Sequence, residues 1–227
     1  MKPALIRQHG HTGPPAVLGD WLRDRAIPAV IHPAYLGIPA PDPTQFAFVA
    51  SLGSANSPAE TDKAAVREEL DLLERAVAEA VPVLGLCFGG QALATVLGGA
   101  VERASAPELG WVELDTRDPD QVPSGPWLAW HWDRFVLPDG AEELASTALG
   151  SQAFRAGPHL GVQFHPESRI EQVAVWARKD AERTARYGVT DGVERLEAGR
   201  AHQTTAEANA YRLFDGFWAR TGQVTGT

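Results

Sequence analysis

The sequence predicts an α/β fold built on an open, mostly parallel sheet with helices on both faces and a small antiparallel extension. Three observations carry that prediction. Apolar strand-like runs alternate with amphipathic helical segments up to about residue 99, in the order βαβαβα. The third of these strands is nearly all apolar, as a strand covered on both faces must be. From residue 100 onward the pattern changes to short, closely spaced strand candidates separated by Pro, Gly and Asp, which is the pattern of antiparallel hairpins.

Taken in order, residues 3–9 (PALIRQH) read as the first strand, 17–25 as a helix and 28–32 (PAVIH) as the second strand. A Pro-rich loop leads to the third strand, 46–51 (FAFVAS), which runs into LGSANSP. Over 61–80, Val66, Leu70, Leu73 and Val77 recur at helical spacing behind Thr61, a side chain suited to capping a helix. VPVLGLC (81–87) is the fourth strand, and the helix after it stops at Gly98-Gly99. AVERA (100–104), GWVELDT (110–116), WLAWHWDRFVLP (127–138), EELAST (142–147), SQAFRAG (151–157) and LGVQFHPE (160–167) are the hairpin strands. Helices return over 169–180, around 192–200 and over 206–219, the last with Ala210, Leu213, Phe214 and Phe217 on one face. No linker-like shift in composition, internal repeat or low-complexity tract divides the chain, so residues 1–227 are expected to form a single domain.

Composition excludes several classes of function. The 227 residues carry 20 Lys+Arg against 29 Asp+Glu, a net charge of -9 that repels a phosphate backbone and an anionic membrane surface, so neither nucleic acid nor a membrane is an expected partner. No apolar run approaches the ~18 residues of a membrane span, and the N-terminus lacks the apolar core of a signal peptide. One cysteine builds no internal disulfide, which fits a cytoplasmic location. His9, His11 and His32 fall near strand ends, but no metal-ligand spacing joins them; no metal is expected, and they read as surface histidines. Neither common nucleotide-binding fingerprint is present, and no cofactor is expected.

The one cysteine, Cys87, stands in PVLGLCFGGQALA, where an apolar strand turns into a helix. A thiol there faces the sheet's carboxyl edge, where open α/β sheets bind ligands, and the helix dipole favours its thiolate. Gly85, Gly89 and Gly90 allow a sharp turn and close approach of a substrate, the logic of a nucleophile elbow. A lone buried cysteine among packing glycines would look the same. GVQFHPE supplies what separates the two readings: His165 at a strand end, Pro166 to fix the turn, and Glu167 two residues on, able to orient the imidazole. Thiolate, base and carboxylate together make a catalytic triad.

With GLCFGGQ (85–91) and HPE (165–167) in view, the sequence resembles the class I (triad) glutamine amidotransferases over most of residues 46–168. Its later text is most similar to stand-alone members resembling the amidotransferase domain of GMP synthase. The resemblance implies a flavodoxin-like α/β fold and attack of Cys87 on the side-chain amide of glutamine, giving a γ-glutamyl thioester. It also implies that His165 moves the proton, that Glu167 orients it, and that the backbone N–H groups of Gly53 and Phe88 form the oxyanion hole. Gln91 matches a substrate-contacting glutamine, and Trp130, His131, Trp132 and Asp133 match a segment whose backbone holds the α-amino and α-carboxylate groups of the substrate. That segment usually reads S-H-G-D. Here Trp132 stands at its glycine, and Gly90 replaces a usual His or Met, so the identity of the amide substrate stays open.

Three functions are compatible with this reading. One is a glutaminase that delivers ammonia to a separate synthase partner. The second is a stand-alone γ-glutamyl amide or peptide hydrolase using the same triad, and the third an inactive binding module, against which the intact Cys87, His165 and Glu167 argue.

Overall fold

The computed structural model describes residues 1–222. Along it lie ten strands and seven α-helices: β1 (Ala4–Gln8), α1 (Ala16–Asp24), β2 (Ala29–Pro33), β3 (Phe48–Ser51), α2 (Ala64–Ala78), β4 (Val83–Leu86), α3 (Phe88–Val96), β5 (Ala100–Val112), β6 (Asp115–Thr116), β7 (Trp127–Val136), β8 (Glu142–Thr147), β9 (Gly150–Ala156), β10 (His159–Val162), α4 (Ile170–Lys179), α5 (Ala181–Ala185), α6 (Gly192–Ala198) and α7 (Gln203–Arg220). Eight strands form one sheet in the order β2-β1-β3-β4-β10-β9-β8-β6. Pairing is parallel from β2 through β10 and antiparallel from there to β6. β5 and β7 make a separate antiparallel ribbon.

The alternation of side chains along each central strand explains why helices cover both faces. Ile6, Phe48, Ala50, Leu84 and Leu86 pack with Val17, Leu18 and Trp21 of α1 and with Ala210, Leu213, Phe214 and Phe217 of α7. Their neighbours in sequence, Leu5, Val49 and Val83, point the other way, against Leu72, Leu73 and Ala76 of α2 and Ala92, Leu93 and Ala94 of α3. The sequence pattern and the doubly wound sheet are therefore the same fact. A third apolar cluster joins the ribbon to the C-terminal helices, with Leu128, Trp130 and Trp132 of β7 against Ile170, Val173, Ala174 and Ala177 of α4 and Leu196 of α6.

Several elements differ from the expectation. α2 begins at Ala64 with Lys63 at its N-cap, not at Thr61, because the preceding turn is tied by its own side chains: Glu60 accepts from the Ser57 N–H at 2.9 Å and from Lys63 Nζ at 2.8 Å. The buried stripe of α2 is Val66, Glu69, Leu72, Leu73 and Ala76, with Leu70 and Val77 only at its margin. A carboxylate in the stripe rotates the apparent apolar face. AVERA and the start of GWVELDT are one long strand, β5, whose register shifts between Arg103 and Glu108, around Pro107, which cannot donate to a ladder. The remaining Asp115-Thr116 crosses to pair with β8. LGVQFHPE stays strand only to Val162, and α5 was not foreseen. No helix among the described residues is long and apolar enough to cross a membrane.

Candidate active site

Four neighbouring parallel strands, β1, β3, β4 and β10, end at one edge of the sheet, so the residues that follow them meet. His9 follows β1, Gly53 follows β3, Cys87 follows β4 and His165 follows β10, and all four line a cavity of about 390 Å³. Trp130 to Asp133 of β7 and, along α4 and α5, Trp176, Lys179 and Arg183 line it as well.

Cys87 is buried and sits at φ 53°, ψ −106°, a left-handed backbone that L-residues rarely adopt. Its N–H donates to the Val162 carbonyl at 2.8 Å, and its carbonyl accepts from the Gln91 N–H at 2.9 Å, so β10 and α3 together hold the strained residue in place. The glycines around it serve packing and not torsional freedom, since none of the three has a positive φ. A Cβ on Gly85 would lie 2.5 Å from the Gly89 carbonyl oxygen, one on Gly89 2.0 Å from the Ser51 carbonyl oxygen, and one on Gly90 2.5 Å from that of Val162. They let α3 sit directly on the sheet, with its first residue, Phe88, in the lining of the cavity.

His165 is fixed from both sides. Its N–H donates to the Leu128 carbonyl at 2.8 Å, and Nδ1 lies 2.8 Å from Glu167 Oε1, both side chains being buried. Burial alone would drive the imidazole neutral, but the charges of Glu167 and Cys87 outweigh it and hold the pKa up at about 10. The imidazolium therefore persists across the neutral range beside the sulfur, poised to donate its proton. Glu167 in turn receives the Ser168 hydroxyl at 3.3 Å. Gly53 packs against this ring so closely that a Cβ would stand 2.8 Å from His165 Cε1.

Two groups at this edge escape the sequence reading. Gln163 is fully buried, and its Nε2 donates to Cys87 Sγ at 3.8 Å while its Oε1 accepts from Gln91 Nε2 at 3.2 Å. The signal was present in GVQFHPE: a polar residue in an otherwise apolar strand end. His9 and His32 are also not surface residues, as expected, but parts of a buried network; only His11 is exposed. Arg7, fully buried, donates through Nε to Glu69 Oε2 at 2.8 Å and through Nη1 to His32 Nδ1 at 2.7 Å. His9 Nε2 stands 3.6 Å from Glu69 Oε1 and 3.3 Å from Ser51 Oγ, and its ring meets Phe88 edge-on at 4.9 Å. The reason for the miss is physical, because Arg7 and Glu69 are 62 residues apart and only the fold pairs them.

Gln91 lines the cavity but its Nε2 is already engaged, donating to the Asp133 carbonyl at 3.1 Å as well as to Gln163. Trp130, His131, Trp132 and Asp133 also line it. Burial, reinforced by the positive charge of His165, lowers the His131 pKa to about 3, so this imidazole is neutral, with Nδ1–H donating to the Asp133 carbonyl at 3.1 Å. Its 3.3 Å approach to Glu108 is accordingly not an ion pair. The Trp130 indole donates to Asp180 Oδ2 at 2.9 Å. Trp132 is 7% exposed, its N–H has no hydrogen-bond partner among the described residues, and one face of its ring carries the guanidinium of Arg183 at 3.6 Å.

Residues 53–174 match the family model described as glutamine amidotransferase class-I. The glutamine-hydrolysing GMP synthase of Halothermothrix orenii is 39% identical over 97 residues, which cover 38% of this chain and 19% of that protein. One subunit of the glutamine-hydrolysing GMP synthase of Saccharolobus solfataricus is 38% identical over 96 residues, covering 38% of this chain and 51% of that one. The matched region thus spans between a fifth and a half of these relatives. A glutamine amido transferase from Methylobacillus flagellatus superposes with a TM-score of 0.89 at 26% identity, over 100% of this chain and 98% of the other. A glutamine amidotransferase from Thermotoga maritima shares the fold, with a TM-score of 0.83 at 23% identity over 95% of this chain and 97% of that one.

Proposed function

Because the chain belongs to the class-I glutamine amidotransferases, we propose that it hydrolyses a γ-glutamyl amide through a thioester on Cys87. The observation that supports this most directly is the cysteine at φ 53°, sharing a cavity with the buried His165–Glu167 pair at 2.8 Å. The thiolate attacks the γ-carbonyl carbon, and the oxyanion that forms is received by the backbone N–H groups of Phe88 and Gly53. The carbon–nitrogen bond then breaks as the His165 imidazolium passes its proton to the departing amine, leaving a γ-glutamyl thioester and a neutral imidazole. Water gives a proton to that imidazole as it attacks the thioester, and cleavage of the carbon–sulfur bond returns the thiolate and releases glutamate. Glu167 positions the ring in both halves, and Gln91 and the 130–133 segment hold the substrate.

With glutamine as substrate the amine is ammonia, whose use requires an acceptor. The likeness to a single subunit of a GMP synthase, a chain whose name makes it one part of a larger enzyme, supports delivery to a separate synthase. A second reading, hydrolysis of a γ-glutamyl amide with a larger leaving amine, is favoured by a 390 Å³ cavity, which is of the size that encloses drug-sized ligands.

The test is glutamate release from glutamine and from γ-glutamyl amides, together with intact-mass detection of an adduct from a glutamine-derived electrophile. Cys87→Ser should lose at least about 10³-fold in kcat and form no adduct, and His165→Ala should lose turnover, whereas Glu167→Gln should lose less. Near-native turnover by Cys87→Ser, or an adduct on another residue, ends the proposal.

A further inference from the structure

The cavity has a cationic end that the proposed chemistry leaves unused. Trp176 packs on His165 with ring centroids 4.9 Å apart, and Lys179 and Arg183 follow it at helical spacing along α4 and α5, all three lining the cavity. The other charged groups around this mouth are engaged. Arg103 pairs with Asp133 at 3.0 Å, Asp180 accepts from the Trp130 indole, and Glu60 on the facing loop is held by Lys63 and the Ser57 N–H. Lys179 and Arg183 are exposed, and among the described residues neither stands within ion-pair distance of a carboxylate, although the charge of Arg183 reaches Glu60 across the mouth. In a chain of net charge -9, two unpaired cations at one cavity mouth are a selective arrangement.

Arg183 is also pre-organised. Its guanidinium lies over the Trp132 ring at 3.6 Å, which fixes the plane of the fork and leaves its N–H edges free for an oxyacid. The Trp132 N–H, buried and without a partner among the described residues, offers a further donor nearby. The stacking face that a flat leaving group would have needed is thus occupied by a cation.

We propose that Arg183, seated on Trp132 and assisted by Lys179, is an anion subsite for a carboxylate carried by the leaving amine, so that the preferred substrates are γ-glutamyl amino acids. The proposal rests on the γ-glutamyl hydrolysis argued above. The proton donor His165 must face the departing nitrogen, and Trp176, which packs on His165, shares the cavity lining with Lys179 and Arg183 at helical spacing.

Binding separates this proposal from the hydrolysis it builds on. In Cys87→Ser protein, isothermal calorimetry should show γ-glutamylglycine binding at least about tenfold more tightly than γ-glutamylethylamide, whose leaving group is neutral, since a charge-assisted bidentate contact is worth that much. Adding Arg183→Met should reduce the ratio to below about threefold and leave γ-glutamylethylamide unchanged; Lys179→Met should reduce it by less. Equal binding of the two ligands, or an equal loss for both in Arg183→Met, overturns the subsite. If the loss follows instead the substrate's α-carboxylate, tested with the α-carboxamide of γ-glutamylethylamide, Arg183 serves the glutamyl half and the leaving-group assignment falls. If the protein with Cys87 intact hydrolyses none of these compounds while the binding ratio holds, the hydrolase reading fails and the subsite stands.

Discussion

Gln163 uses both ends of a fully buried carboxamide, donating to Cys87 Sγ and accepting from Gln91, so its orientation is fixed before any substrate arrives. An N–H aimed at sulfur holds the nucleophile in one orientation and supports negative charge that develops on it, and hydrogen bonds to charged groups contribute about 1.5–3 kcal/mol. Gln163→Leu is close in volume but removes the donor. The expected result is an alkylation rate of Cys87 by iodoacetamide that falls about tenfold at neutral pH. A variant that only loosened the pocket would expose the sulfur and raise the rate. Gly53 states a steric version of the same point. With 2.8 Å from a hypothetical Cβ to His165 Cε1, Gly53→Ala must push the imidazole off the Glu167 carboxylate, and kcat should fall by about 10²-fold with a modest change in KM.

At the scale of elements, the elbow is a helix laid on a sheet without intervening side chains. Gly89→Ala puts a methyl 2.0 Å from the Ser51 carbonyl, where neither partner is a movable side-chain end, so α3 must lift from β3. The expected loss is about 3 kcal/mol or more, read as a lower midpoint in urea denaturation. Gly98 is the control: its φ of 93° disfavours any side chain but nothing among the described residues lies within 4 Å of an added Cβ, so Gly98→Ala should cost only about 1 kcal/mol. A Gly98 variant as damaged as Gly89→Ala would show that backbone torsion and not close packing governs this segment. These elements also mark what the sequence could disclose. Apolar runs at strand period and the Ala210–Phe217 face of α7 were legible because each residue's burial follows from its own chemistry. The start of α2, the bulge at Pro107 and the short α5 were not, because side-chain ties and cross-strand pairing decide them. The site divides in the same way. Cys87, with its flanking glycines, and the His165-Pro166-Glu167 run are local in sequence, whereas Gln163 meets Cys87 across 76 residues and Arg183 reaches Trp132 only when α5 folds over β7.

For the whole molecule, the edge of the sheet that carries the site is braced by one buried ionic network, in which Arg7 of β1, Glu69 of α2, His32 of β2 and His9 beyond β1 converge beneath the cavity. Burial opposes the charge on Glu69, yet His9, then Arg7 and Ser51, hold its pKa down from 4.5 to about 2. A carboxylate whose pKa is lower folded than unfolded stabilises the fold above the unfolded value, and that stabilisation is lost as pH falls through the folded one. The shift corresponds to about 3 kcal/mol that is present at neutral pH and disappears between about pH 4.5 and 2. Glu69→Gln should therefore be less stable than wild type at pH 7, with the difference shrinking as the pH is lowered to 2.5, when both are followed by urea unfolding. Because the glutamine leaves buried Arg7 with only the longer 3.6 Å approach to part-exposed Glu68, the substitution is expected to cost about 3 kcal/mol at neutral pH. The paired variant Arg7→Met with Glu69→Leu removes both charges and keeps the volume; it should recover most of the stability and show a flatter pH profile than wild type below pH 4.5. A paired variant that remains as unstable as Glu69→Gln, or that keeps the wild-type acid dependence, would mean that other carboxylates set the acid limit of this fold and that the network under the cavity only fills space.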